Sequence, residues 1–359
     1  MTHDWSASKA RFRAAMSGEQ PDRVPLYMLV LEQMIARVQG ITIRELFSSP
    51  KFYANSIINA HEFFHTDNLG LPTAYAGPAE VAAFAEANGK KKTIHWRDYQ
   101  SFFVEQGEIC KTAEDIDNLN IPDHRNLKLW NITFETSNLI YEKINMRGVL
   151  GFGIWSLVQE LRGVQAYRDI KKNPELLLKL CEKIYESQID ALEAWEDKVG
   201  SIRSVFVTGY SFNSHMMSFE NAMKFEGDFI KRFQKRIGNN APIFFHNCGT
   251  SPYWKELCKE LNINAVNGSH PLDIDYWIEF RKQFPRVTIV GANIDVSREM
   301  LTGNPVDVEL KVKENIDALA TISPNYIVAP QCALPWGVPL SNVIAVSSAV
   351  QKYGSYPLS

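Results

Sequence analysis

Short apolar, β-branched runs recur along the chain, and each is followed by a longer stretch with apolar residues at helical spacing, the rhythm of parallel strands joined by helical crossovers. The runs predict strands at Val24–Met28, Asn68–Leu71, Gly148–Phe152, Val205–Thr208, Ile243–His246, Ala265–Asn267, Val287–Val290 and Tyr326–Ala329. Between them a helix is expected at Pro174–Lys198, where Leu176, Leu177, Leu180, Ile184 and Ile189 follow an Asn173-Pro174 start signal. Others are expected at Glu220–Arg236, Tyr253–Leu261, Asp275–Gln283, Val306–Thr321 and Leu340–Gln351. Eight strands alternating with helices predict an α/β fold, a (βα)8 (TIM) barrel rather than a doubly wound sheet. Trp96–Gln106 breaks the rhythm and reads as a strand pair, an excursion over one rim. With no internal repeat, low-complexity tract or long linker, one domain over residues 1–359 is expected.

Composition removes several classes of function. A hydrophobic share of 45% leaves enough apolar side chain for a sizeable core, so disorder is not expected. A net charge of -3 with both signs interspersed gives no electrostatic reason for a nucleic-acid or membrane partner. The first residues lack the apolar core of a signal peptide, and no stretch approaches the ~18 apolar residues of a membrane span, so a cytoplasmic location is expected. Five cysteines are an odd and sparse set, which argues against a disulfide framework and leaves thiols for metal or for burial.

The chemistry-bearing run is Pro242–Gly249, PIFFHNCG, an apolar strand that ends in His246-x-Cys248 and is stopped by Gly249 and Ser251-Pro252. In a barrel this puts both side chains at the C-terminal rim, where active sites are built. A second run, Asn325–Cys332, ends the last predicted strand in Cys332. One imidazole and two thiolates are a known catalytic zinc set, leaving a fourth position for substrate. Spacing alone equally allows two small buried cysteines and a hydrogen-bonded core histidine; placement on one rim favours the metal.

FFHNCG, followed by GANIDVSREMLTGNPVDVELKVKENIDALA and APQCALPWGVPLSNVIAV, resembles the methylcobamide:coenzyme M methyltransferases, relatives of uroporphyrinogen decarboxylase. Positions 242–350 carry the likeness closely, and weaker similarity extends through 22–29, 79–90 and 153–177. The resemblance implies a (βα)8 barrel, Zn2+ on His246, Cys248 and Cys332, and methyl transfer to or from the cobalt of a corrinoid (cobalamin) held by a carrier protein. The other partner would be a small-molecule methyl donor or acceptor. Zinc suits such a reaction, because it deprotonates a bound thiol and polarises an ether oxygen.

Two segments depart from the family pattern. No acidic residue stands between Val205 and Phe219, where these relatives usually place one; Tyr210, Asn213 and His215 are there instead, as candidate substrate contacts or as packing residues. At Asn267–Pro271, where thiol-methylating relatives tend to carry Glu, His270 is a candidate displaceable ligand or proton acceptor, or else a turn histidine. Asp295 matches a family position and equally suits a cap for a helix at Val296–Thr302. The missing acid and the aromatic residues Trp155, Tyr210 and Trp336 lean the reading toward a small aromatic or otherwise uncommon substrate; a thiol such as coenzyme M and the oxygen of a methoxylated aromatic are both candidates, with direction of transfer open.

Three rival readings remain. His61-Glu62-Phe63-Phe64-His65 fits the H-E-x-x-H pattern of zinc proteases, but no third ligand follows on an evident second helix. A decarboxylase acting on porphyrinogen carboxylates would need an arginine-rich N-terminal segment, and residues 26–34 hold no arginine. A barrel that only stores or senses zinc or corrinoid is the third.

Overall fold

The computed structural model describes residues 3–69, 77–146, 151–202, 204–238, 241–268 and 270–358. Six parallel strands form one sheet in sequential order: β1 (Gly151–Phe152), β2 (Val205–Thr208), β3 (Ile243–His246), β4 (Ile263–Gly268), β5 (Thr288–Gly291) and β6 (Tyr326–Ile327). Beyond β6 the ring continues through the N-terminal segment, where Tyr27 N–H donates to the Val328 carbonyl (2.8 Å) and Val328 N–H to that of Pro25 (3.0 Å). The expected strand at Val24–Met28 is therefore present as extended chain with a single parallel bridge, Leu26 to Val328. Its ladder is thin because Pro25 has no N–H to give, and because side chains take the bonds on its other edge. There Asp67 accepts from Leu26 N–H (2.8 Å), while the Asn68 amide binds both the N–H and the carbonyl of Met28 (2.9 Å each). The expected strands Asn68–Leu71 and Gly148–Phe152 lie partly outside the described residues. The architecture is α/β, a TIM barrel.

Alternation along the strands divides inner from outer side chains. Facing inward, Tyr27, Phe206, Ala265, Val290, Ile327 and Ala329 form their own cluster, with Phe244 against it and Ala15 of helix Trp5–Ser17 closing the N-terminal end. Within that cluster the rings stack in series. Phe12 meets Tyr27 at 6.3 Å, Tyr27 meets Phe244 at 5.2 Å, Phe244 meets Phe206 at 5.3 Å, and Phe206 lies at 5.9 Å beneath the His246 ring. The neighbours of opposite parity point outward, so Phe245 packs on Trp254 and Phe212 of the surrounding layer.

Several expected helices are interrupted by wide turns. The one expected at Glu220–Arg236 is Phe219–Ala222, a π-type turn at Met223–Gly227, and Asp228–Ile237. The extra residue of such a turn re-aims a side chain. Here Glu226 reaches the backbone N–H groups of Ile154 and Trp155 (3.2 Å each) and the Ser211 hydroxyl. Over the rim, Ile94–His95 pairs antiparallel with Phe103–Val104, a strand pair as expected, but with its first strand just before Trp96–Gln106 rather than inside it. In the H-E-x-x-H motif the helix ends at Phe63, and His65 has left it with φ 53°, so the two histidines share no helical face. His61 is buried on Thr66 (2.6 Å), and Glu62 accepts from the Trp5 indole (2.9 Å).

A buried histidine ties the outer layer together. His124, with no exposed side chain, donates to Glu80 of helix Pro78–Ala87 (2.8 Å) and to Asp190 of helix Pro174–Lys198 (2.6 Å). Burial opposes its charge, but the two carboxylates outweigh burial and push its pKa up to about 9. Because the folded value lies above the unfolded one of about 6.5, this stabilisation is complete below that pH and is lost as pH climbs through about 9. Chemical denaturation of the wild type and of His124→Gln across that window should show a difference on the order of 3 kcal/mol at pH 6 that shrinks toward pH 9.5. A difference independent of pH would mean that packing, not the ion triad, holds the helices.

Candidate metal centre

The register between β2, β3 and β4 sets Thr208 opposite His246 and His246 opposite Asn267, a row of inward-facing polar groups at the C-terminal ends of the strands. Within this row the Asn267 amide has one possible orientation. Its NH2 donates to the Val290 carbonyl (2.9 Å), so its oxygen faces His246 and accepts from Nδ1 at 2.7 Å. The imidazole therefore carries its proton on Nδ1 and turns the Nε2 lone pair toward Cys332 Sγ, 3.8 Å away.

Cys248 follows two residues later. Between the two, buried Asn247 fastens the turn: its amide donates to the carbonyls of Gly209 (2.8 Å) and Phe212 (3.0 Å), and its oxygen accepts from Gly249 N–H (2.8 Å). Only glycine fits at 249, because a Cβ there would lie 1.8 Å from Asn213 Nδ2. Cys332 arrives on the loop after β6, which is held at both ends. Gln331 N–H donates to the Ile294 carbonyl (3.1 Å), and the Arg37 guanidinium binds the carbonyls of Trp336 and Val338 while lying 5.6 Å from the Trp336 ring.

One nitrogen and two sulfurs of His246, Cys248 and Cys332 thus lie within 4.8 Å of one another, the one such His/Cys/Asp/Glu group among the described residues. A tetrahedral zinc with N and S ligands places those atoms about 3.6 Å apart, so the 3.8 Å between Nε2 and the Cys332 sulfur fits such an ion. The thiols also differ from the rest of the set. Burial pushes Cys110 and Cys258 up to about 12 and Cys181 well above the ordinary thiol value. Cys248 is instead held down at about 4, first by the hydrogen bond from Cys332 and, against burial, by His246. Cys332, as the donor of that bond and a buried neighbour of the thiolate, is pushed up. The pair favours one negative charge unaided and resists a second unless a cation arrives.

Other candidates fall outside this cluster. His270 is half-buried and stands apart from it, with its carbonyl accepting from the Trp254 indole (2.8 Å). Asn213 is buried against Gly249 and accepts from His215 N–H (3.1 Å), a packing role, and His215 is exposed beside Thr250 (3.1 Å). Tyr210 is half-buried and lines a pocket of about 290 Å³ with Phe103, Ser156, Gln159 and Glu160. Trp155 is a correction: it is fully buried between Tyr167 and Phe225, because the helix it opens turns it away from the rim. Asp295 caps the turn at Val296–Thr302, accepting from Ser297 (2.6 Å) and Arg298 (2.8 Å) N–H. Sequence reasoning missed Asn267 and Arg37 as supports. Asn267 was findable, as the strand-end polar residue of matching parity on the next strand; Arg37 left no local signal.

Among the described residues no helix is long and apolar enough to cross a membrane. No curated protein matches the chain. Among solved structures it is similar to a methyltransferase from Methanosarcina mazei, at 17% identity and TM-score 0.73, over 96% of this chain and 98% of that one. It is also similar to a B12-independent methionine synthase from Shewanella sp. W3-18-1 solved with selenomethionine, at 13% identity and TM-score 0.40, over 61% and 66%. The model of the uroporphyrinogen decarboxylase (URO-D) family matches residues 7–353, and with nearly its whole length covered the chain belongs to that family.

Proposed function

We propose that this protein is a zinc-dependent methyltransferase that works with a corrinoid carrier protein, moving a methyl group between cobalt and a substrate heteroatom. The observation that carries the proposal is the convergence of His246, Cys248 and Cys332 at the C-terminal rim of a URO-D-family barrel. The likeness to a methyltransferase from Methanosarcina mazei agrees with it. Zinc bound there would supply Lewis acidity toward the heteroatom that gains or gives up the methyl.

The protein's own groups prepare for that role. Asn267 fixes the tautomer of His246, and the Asn247 turn and the Arg37-held loop bring the two sulfurs to it. The substrate is a thiol or the oxygen of a methoxylated aromatic. The absence of an acid between Val205 and Phe219, and the Tyr210 pocket with Phe103 in its wall, favour the aromatic ether. The decarboxylase reading is weaker, because Arg37, the arginine next after the arginine-free stretch at 26–34, is engaged by two backbone carbonyls and Trp336 rather than turned to a substrate acid.

Purified protein should bind one equivalent of zinc, and His246→Ala or Cys332→Ala should lose it. Methyl exchange with methylcobalamin, assayed against thiols and methoxyarenes, should then fall by more than about 100-fold. Full turnover by metal-free protein would reject the catalytic role of the ion, and a bound zinc with no exchangeable position would favour a storage barrel. Asn267→Ala should weaken zinc binding by about 10- to 100-fold in a chelator competition while leaving the circular dichroism unchanged. Unaltered affinity would show that the hydrogen bond to His246 does not orient the ligand.

A further inference from the structure

A second cavity lies at the opposite end of the barrel, about 290 Å³ in volume, between helix Trp5–Ser17 and the starts of β2 and β3. Small barrels ordinarily fill this region with side chains. Here Ala15 and Met16 of the helix reach the inner cluster, yet an opening remains. Its walls are flat: Phe12, Tyr27, Phe206 and Phe244 all line it. Phe206 and Phe244 stack, Tyr27 and Phe12 are tilted against their neighbours, and aromatic rings around an apolar void lack contact partners on one side that a planar hydrocarbon body would restore.

Among the described residues, the charges at the cavity that lie outside ion pairs have one sign. Asp67 also lines it, but this buried carboxylate is neutralised by Arg11 and Arg23 and accepts a further bond from Leu26 N–H. That leaves Lys9 and Arg13 on the same lining. Lys9 donates to a neutral acceptor, the Asn145 carbonyl (2.8 Å), and Arg13 is exposed and joins none of the ion pairs among the described residues. Both cations keep their charge for an incoming anion, and both disfavour an organic cation. The cavity is too small for a porphyrinogen or corrinoid and suits one or two fused rings.

We infer that this N-terminal cavity is a binding site for a small aromatic carboxylate, its rings against Tyr27, Phe206 and Phe244 and its acid group toward Arg13 and Lys9. The site is separate from the metal centre and does not depend on the proposed methyl transfer. One ring, Phe206, is common to both, lining the cavity and lying under His246.

Calorimetric titration of the full chain with naphthalene-2-carboxylate should show one equivalent bound with a submillimolar dissociation constant, tighter than for the uncharged naphthalene-2-methanol. Arg13→Gln, an exposed change that leaves the fold intact, should weaken the acid by roughly threefold to fivefold and leave the alcohol unaffected. Met16→Trp should fill the space and abolish both, while chelator-treated Cys332→Ala should bind the acid as the wild type does. The inference is overturned by the absence of saturable binding in the millimolar range. It is equally overturned if Arg13→Gln leaves the acid's affinity unchanged, if Met16→Trp leaves both ligands bound, or if binding disappears with the metal ligands.

Discussion

The hydrogen bond between His246 and Asn267 exists because β3 and β4 pair in one register, and the candidate metal centre rests on that pairing. Side chains alternate faces along a strand, so a slip of one residue would turn Phe245 inward and His246 out toward the helices. The apolar residues below resist such a slip. Phe244 on the same face stacks on Phe206 and Tyr27, and Phe245 on the other is packed against Trp254 and Phe212. Apolar packing thus fixes which face the histidine takes, and Asn267 then fixes which nitrogen it offers. The polar site is built with the precision of the barrel core beneath it.

Bringing two half-buried thiols together beside an imidazole has a cost. Their first ionisation is favoured, since the remaining thiol donates to the thiolate, but the second places two like charges together in a half-buried site. A divalent cation removes that repulsion and replaces the shared proton. The arrangement therefore has a sign built into it. It favours a species carrying two positive charges, which separately buried cysteines such as Cys110 and Cys181, each raised by burial, do not.

Much of this was legible in the chain, and the limits follow physical lines. Strands buried on both faces announce themselves as apolar runs, so Val205–Thr208 and Ile243–His246 appear with the bounds expected. The convergence of His246, Cys248 and Cys332 was legible because strand ends in a barrel meet on one rim. What failed to show locally depends on distant partners. Val24–Met28 reads as a strand, yet Pro25 and the side chains of Asp67 and Asn68 take over its hydrogen bonding. Trp155 reads as a rim aromatic, yet its helix begins so early that the ring is buried. The H-E-x-x-H motif matches as text, but a left-handed residue at its last position undoes the face-sharing that the motif needs.

The loop bearing Cys332 shows how one residue type takes on different work within a common fold. Arginine is suited to gripping planar acids, because its fork presents paired donors. In this chain Arg37 turns that fork on the carbonyls of Trp336 and Val338, and its planar face toward the Trp336 indole, whose ring is met from outside by Tyr99 of the rim excursion at 5.3 Å. Arg37 lies on the helix Glu32–Gln39, whose Glu32 accepts from the Ser101 hydroxyl of that excursion. Excursion, helix and loop are thereby one unit, and the sulfur of Cys332 is carried on it opposite the rigid strand that carries His246. A centre assembled from a strand end on one side and a clamped loop on the other has one ligand whose position depends on the clamp. If the three side chains hold a metal, the placement of the Cys332 sulfur would be controlled from the rim rather than from the barrel core.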